Sequence, residues 1–197
     1  MLAKSAFHAS VEPAVLAAAR LGDEHAFAAL YAQFQRAGFN LALRVLGDAA
    51  AAEDVVQDVF LRLFDTIRQY RGDAPFGAWL RRLFANATID ELRRRQWLEL
   101  EDPIEAQALG PATSGLAEHQ AEAWQMLMRL PPRARAVLVL HAVEGYTHRE
   151  MATLFGQSES FSKSILARAL RRLQSATNAN SGEEDDDERG GAQPHRL

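Results

Sequence analysis

Cysteine is missing from all 197 residues, which excludes disulfides, thiol nucleophiles, thiol redox sensing and cysteine-ligated zinc. Long apolar runs are missing as well. The longest is Ala26 to Ala32, far short of the roughly 18 residues a membrane span needs. The N-terminus has no charged start followed by a sustained apolar stretch, so the chain reads as soluble and cytoplasmic, with no membrane partner. Strand-type alternation is nearly absent. The six histidines form no ligand pattern. His141, His148 and Glu150 match no zinc signature, and neither a metal, a cofactor nor an enzymatic activity is expected.

Charge is scarce in sum but unevenly placed. The net charge of −4 resides in the last 20 residues, whose Glu-Glu-Asp-Asp-Asp-Glu run faces only Arg189 and Arg196. Residues 1–177 then hold 20 acids against 20 bases. The acidic, Gly- and Ser-containing tail 178–197 offers too little apolar surface to offset its ordering entropy and is expected to be disordered.

What the sequence does contain is helical periodicity, in a chain that is 48% apolar and therefore able to bury a core. Two helical blocks, 11–97 and 116–177, flank a Pro- and Gly-containing stretch at 98–115 that carries four acids and no base. The reading is an all-α protein of two small domains joined by a flexible acidic linker. In the first block a helix around Ala49 to Ile67 places Val55, Val56, Val59, Phe60, Leu63, Phe64 and Ile67 on one arc. Asp54, Gln57, Asp58 and Leu61 lie opposite. A leucine among acids on a solvated face suits a docking surface.

Farther on, Arg71-Gly-Asp-Ala-Pro-Phe-Gly precedes a helix expected from about Ala78 to Arg95. Its bases Arg81, Arg82, Arg93, Arg94 and Arg95 outnumber Asp90 and Glu91, with Tyr70, Phe76, Trp79 and Trp97 nearby. Rings stack on unpaired bases and guanidinium groups meet phosphates, so this mixture suits nucleic acid; Trp79, Leu80, Leu83 and Phe84 also have the spacing of a packed face.

In the second block Thr147-His-Arg-Glu150 fits a capping box opening a short helix that ends at Gly156. Ser158 can cap a second helix running to about Leu173. Helix, glycine turn and basic helix form a helix-turn-helix pattern, whose second helix enters the DNA major groove. On that helix Leu166, Ala169, Leu170 and Leu173 share an apolar arc. Ser164, Arg168, Arg171 and Arg172 face away, and Lys163 sits at the margin.

In their order and spacing, GDEHAFAALYAQF, AAEDVVQDVFLRLF, GAWLRRLFANATIDELRRR, LPPRARAVLVLHAVEGYTHREMATLFG and SKSILARALRRL resemble the extracytoplasmic-function (ECF) sigma factors of bacterial RNA polymerase. These contain only sigma regions 2 and 4, and the resemblance covers about Val11 to Leu173. It implies a sigma factor that directs polymerase to specific promoters. Asp54, Gln57, Asp58 and Leu61 would bind the clamp of the core polymerase β′ subunit. Arg71, Phe76, Trp79, Arg81, Arg82, Asn86, Arg93 and Arg94 would meet the −10 element. His148, Arg149, Lys163, Ser164, Arg168 and Arg171 would lie at the −35 element. Core RNA polymerase (β′ and β subunits), promoter DNA and an anti-sigma factor would be the partners. A sigma mimic that sequesters an anti-sigma factor is the alternative, against which Lys163, Arg168 and Arg93 to Arg95 speak.

One departure stands out. Where the family usually has Gly-Thr-Val before the basic residue of the recognition helix, this chain has Ser160, Phe161 and Ser162. Ser162 falls on the apolar arc, where its hydroxyl either weakens the core or bonds back to a carbonyl one turn earlier. Phe161 is expected to pack on the preceding helix.

Overall fold

The computed structural model describes residues 6–101 and 118–187. Among them are eight α-helices, two short 3-10 turns and no strand. In the first block they are α1 (Pro13–Arg20), α2 (Glu24–Leu46), α3 (Ala49–Thr66) and α4 (Phe76–Glu101). The second block holds α5 (Glu118–Met128), α6 (Pro132–Ala142), α7 (His148–Phe155) and α8 (Glu159–Asp187).

The first block is built on α2, α3 and α4. Asp23 caps α2 by accepting from the Ala26 amide at 2.8 Å. Gly47, at φ 75, then ends it in a left-handed turn. Asp48 caps the next helix at once, accepting from the Ala51 amide at 3.2 Å, so α2 and α3 run as tight antiparallel neighbours. The Asp48 carboxylate also binds Arg95 of α4 at 2.9 Å. That guanidinium holds the Asp48 carboxyl below its ordinary pKa, and one cap thereby ties three helices together.

Inside, Leu30, Phe34, Leu41, Leu63, Leu80, Phe84 and Ile89 are fully buried, each worth about 1.5–3 kcal/mol relative to exposure. The Phe84 ring meets Phe7 at 5.6 Å and Phe60 at 5.9 Å. It lies so close to α2 that a β-carbon at Gly38 would stand 2.1 Å from it. Gly38→Ala is therefore expected to lower the unfolding free energy by about 3 kcal/mol through overpacking. Urea titration measures this, and wild-type stability in the variant would mean that the α2–α4 approach is looser than described.

In the second block α6 carries the Ala136 to Leu140 run, and all five residues are buried. A helix apolar all round needs neighbours on every side. It has them in α7, α8 and, from the first block, α2. The two blocks thus pack against each other.

Several boundaries differ from the sequence reading. Helix α4 starts at Phe76, because the Pro75 carbonyl already accepts from the Ala78 and Trp79 amides at 2.9 and 3.2 Å, and it continues to Glu101, into the stretch read as linker. Residues 102–115 of that linker lie outside the described residues. Helix α8 runs on to Asp187, ten residues into the stretch read as a disordered tail. Extending an existing helix adds a hydrogen bond per residue with no nucleation cost. Residues 188–197 lie outside the described residues.

Two side chains assigned to apolar arcs are exposed, Phe64 at 53% and Leu170 at 45%. Phe64 packs only sideways, 4.8 Å from the Phe27 ring. On α8 the buried line is Ser162, Ile165 and Ala169, and Leu170 lies about 100° from its centre.

Candidate nucleic-acid and polymerase interface

On α3 the aliphatic side chains Val55, Val56, Val59 and Leu63 are buried while Asp54, Gln57, Asp58 and Leu61 all emerge on one face. Leu61 is 72% exposed. The four line one wall of an open groove whose other wall includes Ala87, Asp90 and Arg94 of α4. Asp58 is ion-paired with Arg62 at 3.0 Å. An exposed leucine flanked by carboxylates at the edge of a groove can seat an apolar ridge with basic flanks.

The arginines of α4 diverge. Arg94 holds Glu91 in a two-pronged bond at 2.9 Å and borders the α3 groove. Arg95 bonds Glu91 at 2.8 Å and Asp48 at 2.9 Å. Arg81, Arg82 and Arg93 turn toward the second block. Arg81 donates to the Glu144 carbonyl, and its guanidinium lies 4.8 Å from the centre of the Tyr146 ring. Burial pushes the Tyr146 phenol up to about 12, so it stays neutral and donates to the Arg81 carbonyl at 3.4 Å. Arg82 stands 3.8 Å from Glu150, and Arg93 donates to the Leu154 carbonyl at 2.7 Å.

Of the remaining residues expected at the −10 element, Arg71 and Asn86 are exposed and Trp79 is half-buried. Phe76 is not available in the same way. Only 4% exposed, its ring sits 5.3 Å from Tyr70, 5.6 Å from Trp79 and 5.9 Å from Phe34. As the first residue of α4 it points into the core, where it supports the Tyr70–Trp79 pair instead of offering a face to a base.

The helix-turn-helix forms as the sequence reads. Thr147 accepts from the Glu150 amide at 3.2 Å, and the Glu150 carboxylate accepts from the Thr147 amide at 2.9 Å. These bonds to Thr147 hold the Glu150 carboxyl below its usual pKa. Gly156 ends α7 at φ 62, and Ser158 accepts from the Phe161 amide at 3.3 Å. Lys163, Ser164, Arg168, Arg171 and Arg149 are exposed. Phe161 packs 6.1 Å from Phe155 of α7. Ser162 is fully buried and donates to the Glu159 carbonyl at 2.9 Å, which is the second of the two outcomes open to it. His148 stands apart from the exposed set, half-buried and 3.0 Å from the Ser162 hydroxyl.

Arg135 escaped the sequence reading. It is only 6% exposed and, among the described residues, bonds to no acid. Its Nε and Nη2 donate to the Val45 and Leu46 carbonyls at 2.8 and 2.9 Å, and Nη1 reaches the Met128 sulfur at 3.6 Å. Burial pulls the guanidinium pKa down, but carbonyls at the negative end of the α2 dipole favour the cation. An arginine directly before the apolar run Ala136 to Leu140 is the signal that could have revealed it.

The described chain carries two successive family signatures, Sigma-70 region 2 over residues 30–98 and Sigma-70 region 4 over residues 120–173. The protein is an ECF sigma factor. It is 33% identical over 171 residues to the ECF RNA polymerase sigma factor SigM of Mycobacterium tuberculosis, with 84% of each chain covered. Its fold matches CnrH, solved in complex with the cytosolic domain of CnrY, at a TM-score of 0.52 and 28% identity, covering 84% of this chain and 96% of that one. A second match is the sigma factor RpoE of Bartonella quintana, solved with the anti-sigma factor NepR, at a TM-score of 0.57 and 23% identity, covering 77% and 96%. This sigma factor therefore serves promoter-specific transcription initiation. Region 2 comprises α2 to α4, and region 4 comprises α5 to the first half of α8. The interdomain contacts above join region 4 to region 2.

Proposed function

We propose that this sigma factor holds core RNA polymerase through the exposed face of α3 and reads promoters with two separate arginine-rich surfaces. The observation that carries the docking assignment is Leu61, which stands in solvent between Asp54, Gln57 and Asp58 while the other aliphatic residues of its helix turn inward. The β′ clamp is the partner assigned to that face. Arg71, Trp79, Arg81, Arg82, Asn86, Arg93 and Arg94 serve the −10 element, with Tyr70 and Phe76 as the aromatic support beneath. Arg149, Lys163, Ser164, Arg168 and Arg171 serve the −35 element, where α8 enters the major groove.

Each domain binds its DNA element weakly, and polymerase presents both at once, which multiplies their effect without new contacts. The protein performs no catalysis of its own and works in the cytoplasm; among the described residues no helix is long and apolar enough to cross a membrane. Its inhibitory partner is an anti-sigma factor, by analogy with the sigma factor RpoE of Bartonella quintana, which was solved with the anti-sigma factor NepR.

The double variant Asp54→Ala, Gln57→Ala tests the docking face. Both side chains are exposed, so circular dichroism should be unchanged. Affinity for core polymerase should fall about five-fold or more, the loss of at least about 1 kcal/mol that marks an interface anchor. Native affinity in a quantitative pull-down would reject this face as the docking site. Sequencing the transcript starts produced by the reconstituted holoenzyme would then define the promoters.

A further inference from the structure

Ser162 occupies a position that an apolar side chain would fill, with 0% of it exposed between Ile165 and Ala169 on the buried line of α8. A buried hydroxyl has to be satisfied, and this one is satisfied twice. Its hydrogen goes to the Glu159 carbonyl at 2.9 Å. Its oxygen lies 3.0 Å from Nδ1 of His148. A carbonyl can only accept, so the hydroxyl proton is committed to Glu159, and the Ser162 oxygen must accept from a protonated His148 Nδ1.

The His148 ring is in turn covered. It stacks on His141 at 4.7 Å between centres with 21° between planes. His141 Nδ1 lies 2.8 Å from the Tyr146 carbonyl, so it too carries its proton on Nδ1. Tyr146 is buried and donates its amide to the Leu140 carbonyl at 2.9 Å. Partial burial, then His141 and Lys163, hold the His148 pKa below its ordinary value, in keeping with a neutral ring.

A continuous chain of contacts thus leads from the α6–α7 turn (Tyr146) through α6 (His141) and the first residue of α7 (His148) to the first turn of α8 (Ser162). The residues immediately after Ser162 are Lys163 and Ser164, which face outward. At the other end of α7, Phe155 meets Phe161, so the start of α8 is gripped by both ends of the helix before it.

We propose that His148 is a positioning residue for promoter recognition: through its bond to Ser162 it sets the seat of α8, and thereby which −35 base pairs Lys163, Ser164 and Arg168 reach. It does not itself read a base. Its Nδ1 is spent on Ser162 and one ring face on His141. An apolar side chain at position 162 could not accept such a bond, so in this chain a polar link stands on an otherwise apolar line. The inference rests on the reading that α8 enters the −35 groove.

The test uses the full chain assembled with core polymerase on a promoter library randomised at the −35 element. Ser162→Val removes the acceptor while filling the space. His148→Phe keeps a stacking ring and removes the donor. His148→Asn keeps an N–H donor near the position of Nδ1 and loses the stack. Ser162→Val and His148→Phe are each expected to lower use of the native −35 sequence about ten-fold or more relative to their own best sequence, the cost of at least one mismatched base pair. Both should shift toward the same new preference, and the double variant should go no further than either single one, since both break one link. His148→Asn should keep the native preference.

Two results overturn the proposal. In one, His148→Phe and His148→Asn weaken all −35 sequences alike, which makes His148 a direct DNA contact. In the other, preference is unchanged in Ser162→Val and His148→Phe. The variant Lys163→Ala, Arg168→Ala run alongside separates these from failure of the underlying reading: if it leaves −35 dependence intact, α8 is not the reading helix at all.

Discussion

Arg135→Ala is expected to unfasten region 4 from region 2. The substitution leaves the Val45 and Leu46 carbonyls at the end of α2 without the donor that now satisfies them. Each buried acceptor so stranded costs about 1–3 kcal/mol, so the docked arrangement should lose about 2–6 kcal/mol. Region 2 and region 4 share one continuous core, and the chain should relieve the penalty by letting water in beside the stranded carbonyls while its helices stay formed. The expected readings are a larger radius of gyration by small-angle X-ray scattering with nearly unchanged helical circular dichroism. Arg135→Lys should sit between the two, because an ammonium keeps the charge and lacks the fork that spans two carbonyls. An alanine variant as compact and as stable as the parent would show that apolar contact between α2 and α6 suffices.

The same experiment bears on function, because Arg81, Arg82 and Arg93 are engaged by Glu144, Glu150 and Leu154 of region 4. Under the proposed reading those three guanidinium groups cannot serve region 4 and the −10 element at once. Release of region 4 should raise binding of the free protein to single-stranded −10 DNA, measured by fluorescence anisotropy.

Changing Lys163 and Arg168 together to alanine is expected to abolish −35-dependent transcription. Both side chains are exposed. Lys163 pairs only loosely with Glu159 at 3.8 Å, and Arg168 bonds its own helix at the Ser164 carbonyl. Neither supports the core, so folding should survive. Each lost phosphate contact lowers the log-log salt slope of DNA binding by about 0.9, and a lost base contact costs about 1–3 kcal/mol. Together they should reduce affinity for a −35 duplex roughly a hundred-fold at low salt. Core polymerase binding through α3 should persist. Parallel loss of both activities would point to a folding defect, and retention of −35 binding would remove α8 from the DNA.

The elements of this fold were largely readable from the sequence because their signals are local. The Thr147–Glu150 box, Gly156 and Ser158 each act within a turn of their own position, and they form as read. Of the two outcomes open to Ser162 the back-bond formed, since a buried hydroxyl on a helix has few other acceptors. What could not be read depends on partners distant in the chain. Arg135 finds its carbonyls on α2, some 90 residues away, and nothing near it in the sequence names them. Arg93, Arg94 and Arg95 are adjacent in sequence, yet they reach three different surfaces because successive helical residues are 100° apart. Phe76 shows the limit of composition. An aromatic beside arginines suits a base, but its place at the start of α4 directs it into the core.

The continuity of α8 has a consequence of a mechanical kind. At about 1.5 Å per residue, the 29 residues from Glu159 to Asp187 make a rod roughly 43 Å long. Glu183 lies about 16 Å along it beyond Arg172 and about 30 Å beyond Lys163. The screening length at physiological salt is about 8 Å. The helix is thus a spacer whose backbone places the acidic positions from 183 onward about two screening lengths beyond Arg172. Negative charge on a slack string could swing back and compete with phosphate for the same arginines; on a strut it is carried away from them, and presented to whatever lies beyond.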